Sequence, residues 1–182
     1  MAFFNNKKIE DMEYEKCCFY RSKKNPPILK AVEKEYEFCK EKIENNNLEG
    51  INLLYVKFLA YALDCRDFAK NIANINLQFS EDDVYIIERL AQAAHESYLN
   101  KILLEDNVMN FVKIFAGYLG FIITYYKGGE WIDEVKGLEE CGPAIKLDEK
   151  NSAFVLSKVY RRITMGPEDN LEVFYGSIPY KE

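Results

Sequence analysis

The sequence has one histidine and one tryptophan in 182 residues, and that scarcity excludes most familiar catalytic frameworks. A bound zinc or iron needs several nitrogen, sulfur or carboxylate ligands. His95 alone, with Glu96 beside it and Glu88 and Gln92 within two helical turns, is a poor start for such a site. As a general base it would need a nucleophile and an orienting acid. No Gly-x-Ser-x-Gly elbow is present to supply them. The phosphate-binding frame Gly-x-x-x-x-Gly-Lys-Ser/Thr is missing, and so is a dinucleotide fingerprint. The reading is therefore no catalytic residues, no metal and no cofactor, with His95 a helix-packing side chain or a cleft residue.

Other absences set the cellular class. The five cysteines, Cys17, Cys18, Cys39, Cys65 and Cys141, are odd in number and contain no Cys-x-x-Cys pair. Neither a disulfide framework nor a zinc site is expected, and reduced thiols suit a cytoplasmic protein. The first residues are too charged for the apolar segment of an export signal. The longest apolar stretch, residues 111–126, contains Lys113 and falls short of the ~20 residues of a membrane span. With 24 basic against 30 acidic residues the net charge is −6, which lacks the basic footprint that nucleic acid requires. No membrane and no nucleic acid are expected.

What the chain does have is enough apolar material for a core without staples, at 48% hydrophobic residues. It is rich in rings, with 13 tyrosines and 12 phenylalanines. Tyrosine combines an apolar face with a polar tip and suits contact surfaces as well as core edges.

Along the chain, residues 1–25 form a polar segment, loosely ordered or a short docking element. Residues 26–182 read as a single globular domain. Pro26-Pro27 precedes a helix whose apolar positions are Ile28, Val32, Tyr36, Cys39 and Ile43, ended by Asn45-Asn46-Asn47. A second helix after Gly50 aligns Ile51, Leu54, Tyr55, Phe58, Leu59, Ala62, Ala69 and Ile72. Ser80-Glu81-Asp82-Asp83 signals a helix start, with Ser80 as cap and Asp83 near the capping-box position. That third helix turns Val84, Ile87, Leu90, Ala91, Ala94, Tyr98 and Ile102 inward. A fourth, capped by Asp106 or Asn107, runs over residues 108–126 and is apolar on nearly every face, as a central helix is. Gly117 and Gly120 inside it suggest close approach of another helix backbone, and Gly128-Gly129 ends it.

The periodicity changes there. Residues 131–135 and 144–147 read as a strand pair. Ser152 can cap a helix through Ile163, although Phe154, Leu156 and Tyr160 could share one face of a strand. Pro167-Glu168-Asp169 opens a last short helix through Tyr175. The fold class is α+β and mostly helical: a four-helix N-terminal layer, a small C-terminal hairpin and one or two short helices.

Two acidic groups, Glu139-Glu140 and Glu81-Asp82-Asp83, can be read as paired carboxylates, and helix capping already accounts for the second. Lys158, Arg161 and Arg162 form the one basic cluster in an acidic chain. They suit an anion or partner site; the ordinary reading is ion pairing with Glu168, Asp169 or Glu172 just downstream. Trp131 is either a stacking platform or a core anchor. With Tyr126 and His95 it borders an expected cleft between the helical layer and the hairpin.

Residues 107–175 carry Gly117-Tyr118-Leu119-Gly120, Lys127-Gly128-Gly129-Glu130-Trp131, Ser157-Lys158-Val159-Tyr160-Arg161-Arg162 and Gly166-Pro167-Glu168-Asp169-Asn170-Leu171. This order of a Tyr-Leu-Gly helix, a Gly-Gly-x-Trp turn, a hairpin and a Lys-x-x-x-Arg helix resembles a broad group of small uncharacterised bacterial α+β domains. The resemblance implies an immunity or accessory protein of a bacterial toxin system. The expectation is accordingly a non-enzymatic protein that binds a toxin or another protein. The alternative is a small-molecule binder or enzyme using the cleft.

Overall fold

The computed structural model describes residues 28–181, so the polar segment 1–25 and Pro26-Pro27 lie outside the described residues. Six α-helices and a three-stranded antiparallel sheet make a mostly helical α+β fold among those residues. In chain order these are α1 (Leu29–Glu44), α2 (Leu53–Ala73), α3 (Asp83–Leu99), α4 (Glu105–Ile122), β1 (Glu130–Ile132), β2 (Ala144–Lys146), β3 (Ser152–Ala153), α5 (Val155–Thr164) and α6 (Leu171–Ser177).

Helix α1 buries only Val32 and Cys39. Tyr55 donates to Glu35 at 2.9 Å, and Arg66 pairs with Glu33, fixing α1 on α2. Helix α2 starts at Asn52, whose side-chain oxygen accepts the Tyr55 N–H at 3.0 Å. The same side chain donates to the Trp131 carbonyl at 3.0 Å, so one residue caps a helix and ties it to β1.

Helix α4 is the centre of the fold. Residues Phe115 to Ile122 on it are all buried. It continues as a π-helical turn, Ile123–Lys127, and this combined helix is long and apolar enough to cross a membrane; in the fold it packs against α2, α3 and α5. The two glycines have different neighbours. A Cβ on Gly117 would stand 2.6 Å from the Tyr61 Cβ and 2.8 Å from the Phe58 carbonyl oxygen, so α2 and α4 cross there backbone to backbone. A Cβ on Gly120 would lie 2.2 Å from Trp131 Cζ2. The close neighbour at Gly120 is thus an indole rather than the expected second helix.

Trp131 is 3% exposed and lies parallel to the Phe58 ring at 3.8 Å. It pairs with Ile145 across the β1–β2 ladder, and Ile145 pairs with Ala153 on β3. The hairpin forms as expected, although its first strand is Glu130–Ile132 rather than residues 131–135 and its second ends at Lys146. The third strand is unexpected: Ser152 sits in β3 rather than capping a helix, and α5 begins at Val155 with no side-chain cap.

Other caps differ from expectation as well. Helix α4 starts at Glu105, which places Asp106 and Asn107 inside its first turn. Ile102 is 55% exposed, past the end of α3 rather than on its inner face. Ser80 caps nothing with its hydroxyl; instead Asp83 reaches back and accepts the Ser80 N–H at 2.9 Å, half of a capping box. Asp83 also accepts from the Gln78 N–H at 2.9 Å and the Tyr118 hydroxyl at 2.7 Å. The Tyr118 hydroxyl in turn accepts the Phe79 N–H at 2.7 Å, and Tyr126 donates to the Phe79 carbonyl at 3.1 Å. Both backbone groups of Phe79 are therefore held by α4 and its continuation. That explains how a fully buried phenylalanine sustains a φ of 58°.

Candidate functional site

The basic cluster on α5 divides between core and surface. Arg162 is 1% exposed and makes a forked pair with Glu88 of α3, Nη2 to Oε1 at 2.7 Å and Nε to Oε1 at 2.9 Å. Glu88 also accepts the Leu171 N–H at 2.8 Å. One buried carboxylate thereby joins α3, α5 and α6. Lys158 and Arg161 share Asp169, at 2.9 and 3.1 Å from its two oxygens. The three residues do not converge on a common anion site. Asp169 accounts for two of the cations and Glu88 for the third.

The expected cleft residues are likewise separate. Trp131 fills the junction over Gly120, and Tyr126 is tied to Phe79. His95, 7% exposed, donates from Nδ1 to the Ile163 carbonyl at 2.8 Å and packs its other edge against Gly166. The junction at Trp131 is packed, so these three side chains enclose no shared cleft there.

A cleft does open beside that junction, between the helical layer and the β1–β2 connection. It is a solvent-facing trough of about 520 Å³ walled by α2, α4, α5 and residues 140–143. Phe58 and Tyr61 come from α2, Met109 and Val112 from α4, Leu156 and Tyr160 from α5, and Pro143 from the connection. The helical periods explain this convergence. On α5, Val155, Val159 and Ile163 are buried, which leaves Leu156 and Tyr160 on the flank that borders the trough. On α4, Met109 and Lys113 are one turn apart in its N-terminal half, where only Val108 and Val112 are buried.

Three cations border this apolar lining: Lys57, Lys113 and Arg161. Arg161 is engaged by Asp169 through Nε, while its side chain remains 57% exposed. Among the described residues neither Lys57 nor Lys113 has a carboxylate partner. Glu140 is the single carboxylate in the lining. Beyond Tyr160, Glu105 accepts from Tyr98 at 2.7 Å and from Tyr160 at 3.3 Å, and its charge pushes the Tyr160 phenol above its usual range. Tyr160 therefore stays a neutral donor. Ser157 donates to the Cys141 carbonyl at 3.4 Å, pinning the connection to α5.

The lining holds no histidine, and its one serine is turned to a backbone carbonyl. Such a trough can take up an apolar group and set negative charge against its rim. Among the described residues no group of three or more His, Cys, Asp or Glu side chains is placed to hold a metal ion.

Sequence reasoning picked out Arg161 from this lining and missed Lys57, Met109, Lys113, Leu156 and Tyr160 as site residues. One signal was present. Lys113 is the lone cation in the apolar stretch 111–126, and a charge in that position marks the edge where a central helix meets solvent. Comparison with protein-family models, curated proteins and solved structures finds no match to this chain.

Proposed function

We propose that the protein is a non-enzymatic bacterial interaction protein, an immunity or accessory protein that binds a toxin or other protein partner through the trough between α2, α4 and α5. The observation that carries this reading is an open apolar lining bordered by Lys57 and Lys113, which have no carboxylate partner among the described residues. Buried aromatic and aliphatic pockets surrounded by charge are where protein interfaces concentrate their affinity. Met109 is 42% exposed, a large apolar side chain of the trough lining left in water. The resemblance of residues 107–175 to small bacterial domains supports the immunity or accessory role, and the acidic balance and many tyrosines agree with it.

The small-molecule alternative retains one favourable observation, the size of the trough, which lies in the range of ligand sites. Its open, one-sided form fits a protein segment better than an enclosed ligand.

The test is photo-cross-linking in the native cell with the full chain. A photoreactive residue replaces Met109, and a matched one replaces Val173, which is 72% exposed and outside the trough. A single protein captured at position 109 and not at position 173 is the expected result. Equal capture at both positions, or none at 109, overturns the reading.

A further inference from the structure

Resting on the trough as a protein-binding face, we infer that its occupant is an acidic amphipathic segment of the partner, with one large apolar side chain seated between Met109, Leu156 and Pro143 and carboxylates set against Lys57, Lys113 and Arg161. The apolar lining defines the anchor: a volume of about 520 Å³ accommodates an aromatic or long aliphatic side chain together with part of its neighbours. The rim defines the charge. Lys57 and Lys113 lie on different helices and no carboxylate of the described residues neutralises them, although the chain as a whole is acidic at −6. Opposite charge across an interface speeds encounter and selects the partner.

The charge argument also selects among occupants. Residues 1–27 carry six basic and four acidic side chains; the acids cluster at Glu10, Asp11, Glu13 and Glu15, but Lys7-Lys8 and Lys16 flank them directly and would face a cationic rim. A second copy of this chain would bring its net charge of −6 against an equal charge. A separate protein with a local acidic and apolar segment meets neither obstacle.

The experiment titrates the full chain with three short synthetic peptides. One alternates glutamates with leucine and phenylalanine at helical spacing. The second keeps the apolar residues and replaces every glutamate by lysine. The third keeps the glutamates and replaces the apolar residues by serine. Backbone amide shifts map the site, and fluorescence anisotropy gives the affinity. The first peptide is expected to bind with shifts confined to residues 57–61, 109–113, 140–143 and 156–161. The second and third are expected to bind at least about tenfold more weakly. Lys57→Glu with Lys113→Glu weakens the first peptide by about tenfold, or about 1.4 kcal/mol, and Lys57→Gln with Lys113→Gln by less. Raising the salt weakens the first peptide and leaves the glutamine variant less affected, because exposed charges are screened.

Preferential binding of the lysine peptide in the trough overturns the acidic chemistry and leaves the protein-binding face standing. Shifts for the first peptide on another face overturn the inference, and with no capture at position 109 they remove both readings. Self-association of the chain that the lysine variants abolish identifies the occupant as a second copy and overturns it as well.

Discussion

Replacing Trp131 by alanine, alone and together with Gly120→Ala, should produce effects that do not add. The indole is 3% exposed, lies flat on Phe58 at 3.8 Å and covers the bare backbone at Gly120. Truncating a buried tryptophan costs about 3–5 kcal/mol, including the cavity left behind. The stacked pair accounts for about 0.5–1.5 kcal/mol of that beyond area alone. For a domain of this size each kcal/mol lowers the melting temperature by roughly 2–4 °C. Trp131→Ala should therefore melt at least about 6 °C below the parent, taking the lower bounds of those ranges. Gly120→Ala alone places a methyl 2.2 Å from the ring and forces α4 and β1 apart, costing about 1–3 kcal/mol. Once Trp131 is gone, that methyl enters empty space, and the same change regains roughly 0.8–1 kcal/mol of helix propensity. The sign of the Gly120→Ala effect thus depends on residue 131. Urea unfolding followed by far-UV circular dichroism measures all four corners of the cycle, because Trp131 is the only tryptophan and its fluorescence is lost. A Gly120→Ala cost that is equal in both backgrounds would refute the packing argument, as would a Trp131→Ala loss below about 1 kcal/mol.

Two further substitutions test the buried polar groups. Glu88→Ala leaves the Arg162 guanidinium buried without its counter-charge and the Leu171 N–H without an acceptor, at a cost of about 3–5 kcal/mol in urea unfolding. Glu88→Leu combined with Arg162→Leu should recover the part due to the unpaired guanidinium while the Leu171 N–H still lacks its acceptor, and a double variant as unstable as Glu88→Ala would contradict the account. Burial pushes the Asp83 carboxyl above its usual range. A carboxyl raised in the folded state contributes stability below its unfolded value, about pH 4, and loses it as the pH rises through the folded value. Asp83→Asn keeps an oxygen for the Gln78 and Ser80 N–H groups, so its stability relative to the parent should improve between about pH 4 and pH 7. A constant difference across that interval would show that Asp83 titrates normally.

Local pattern made the helices legible, and distance hid the rest. The largely apolar stretch at 111–126 announced α4 as the central helix, and Asn45-Asn46-Asn47 marked the end of α1, where Asn46 takes a φ of 54°. Gly117 and Gly120 were readable as close approaches, yet the sequence has no means to say that one meets a helix and the other an indole. Ser152 has the chemistry of a helix cap, but pairing with Lys146 draws it into β3. Arg162 reads as surface because its partner Glu88 lies 74 residues away. The trough is assembled from three helices and a loop, with one or two residues per turn from each, so no segment of the chain contains its signature. Arg161 was found because arginines cluster on α5, and Lys57 passed as ordinary helix surface.

Met109→Glu tests the binding face most directly. Met109 is 42% exposed, so a carboxylate there leaves the melting temperature nearly unchanged while placing a charge amid the apolar lining. The measurement is the affinity of the variant for the protein captured at that position, by isothermal titration calorimetry. The account predicts a loss of at least about tenfold, or about 1.4 kcal/mol. Undiminished affinity in a variant that melts like the parent would contradict it.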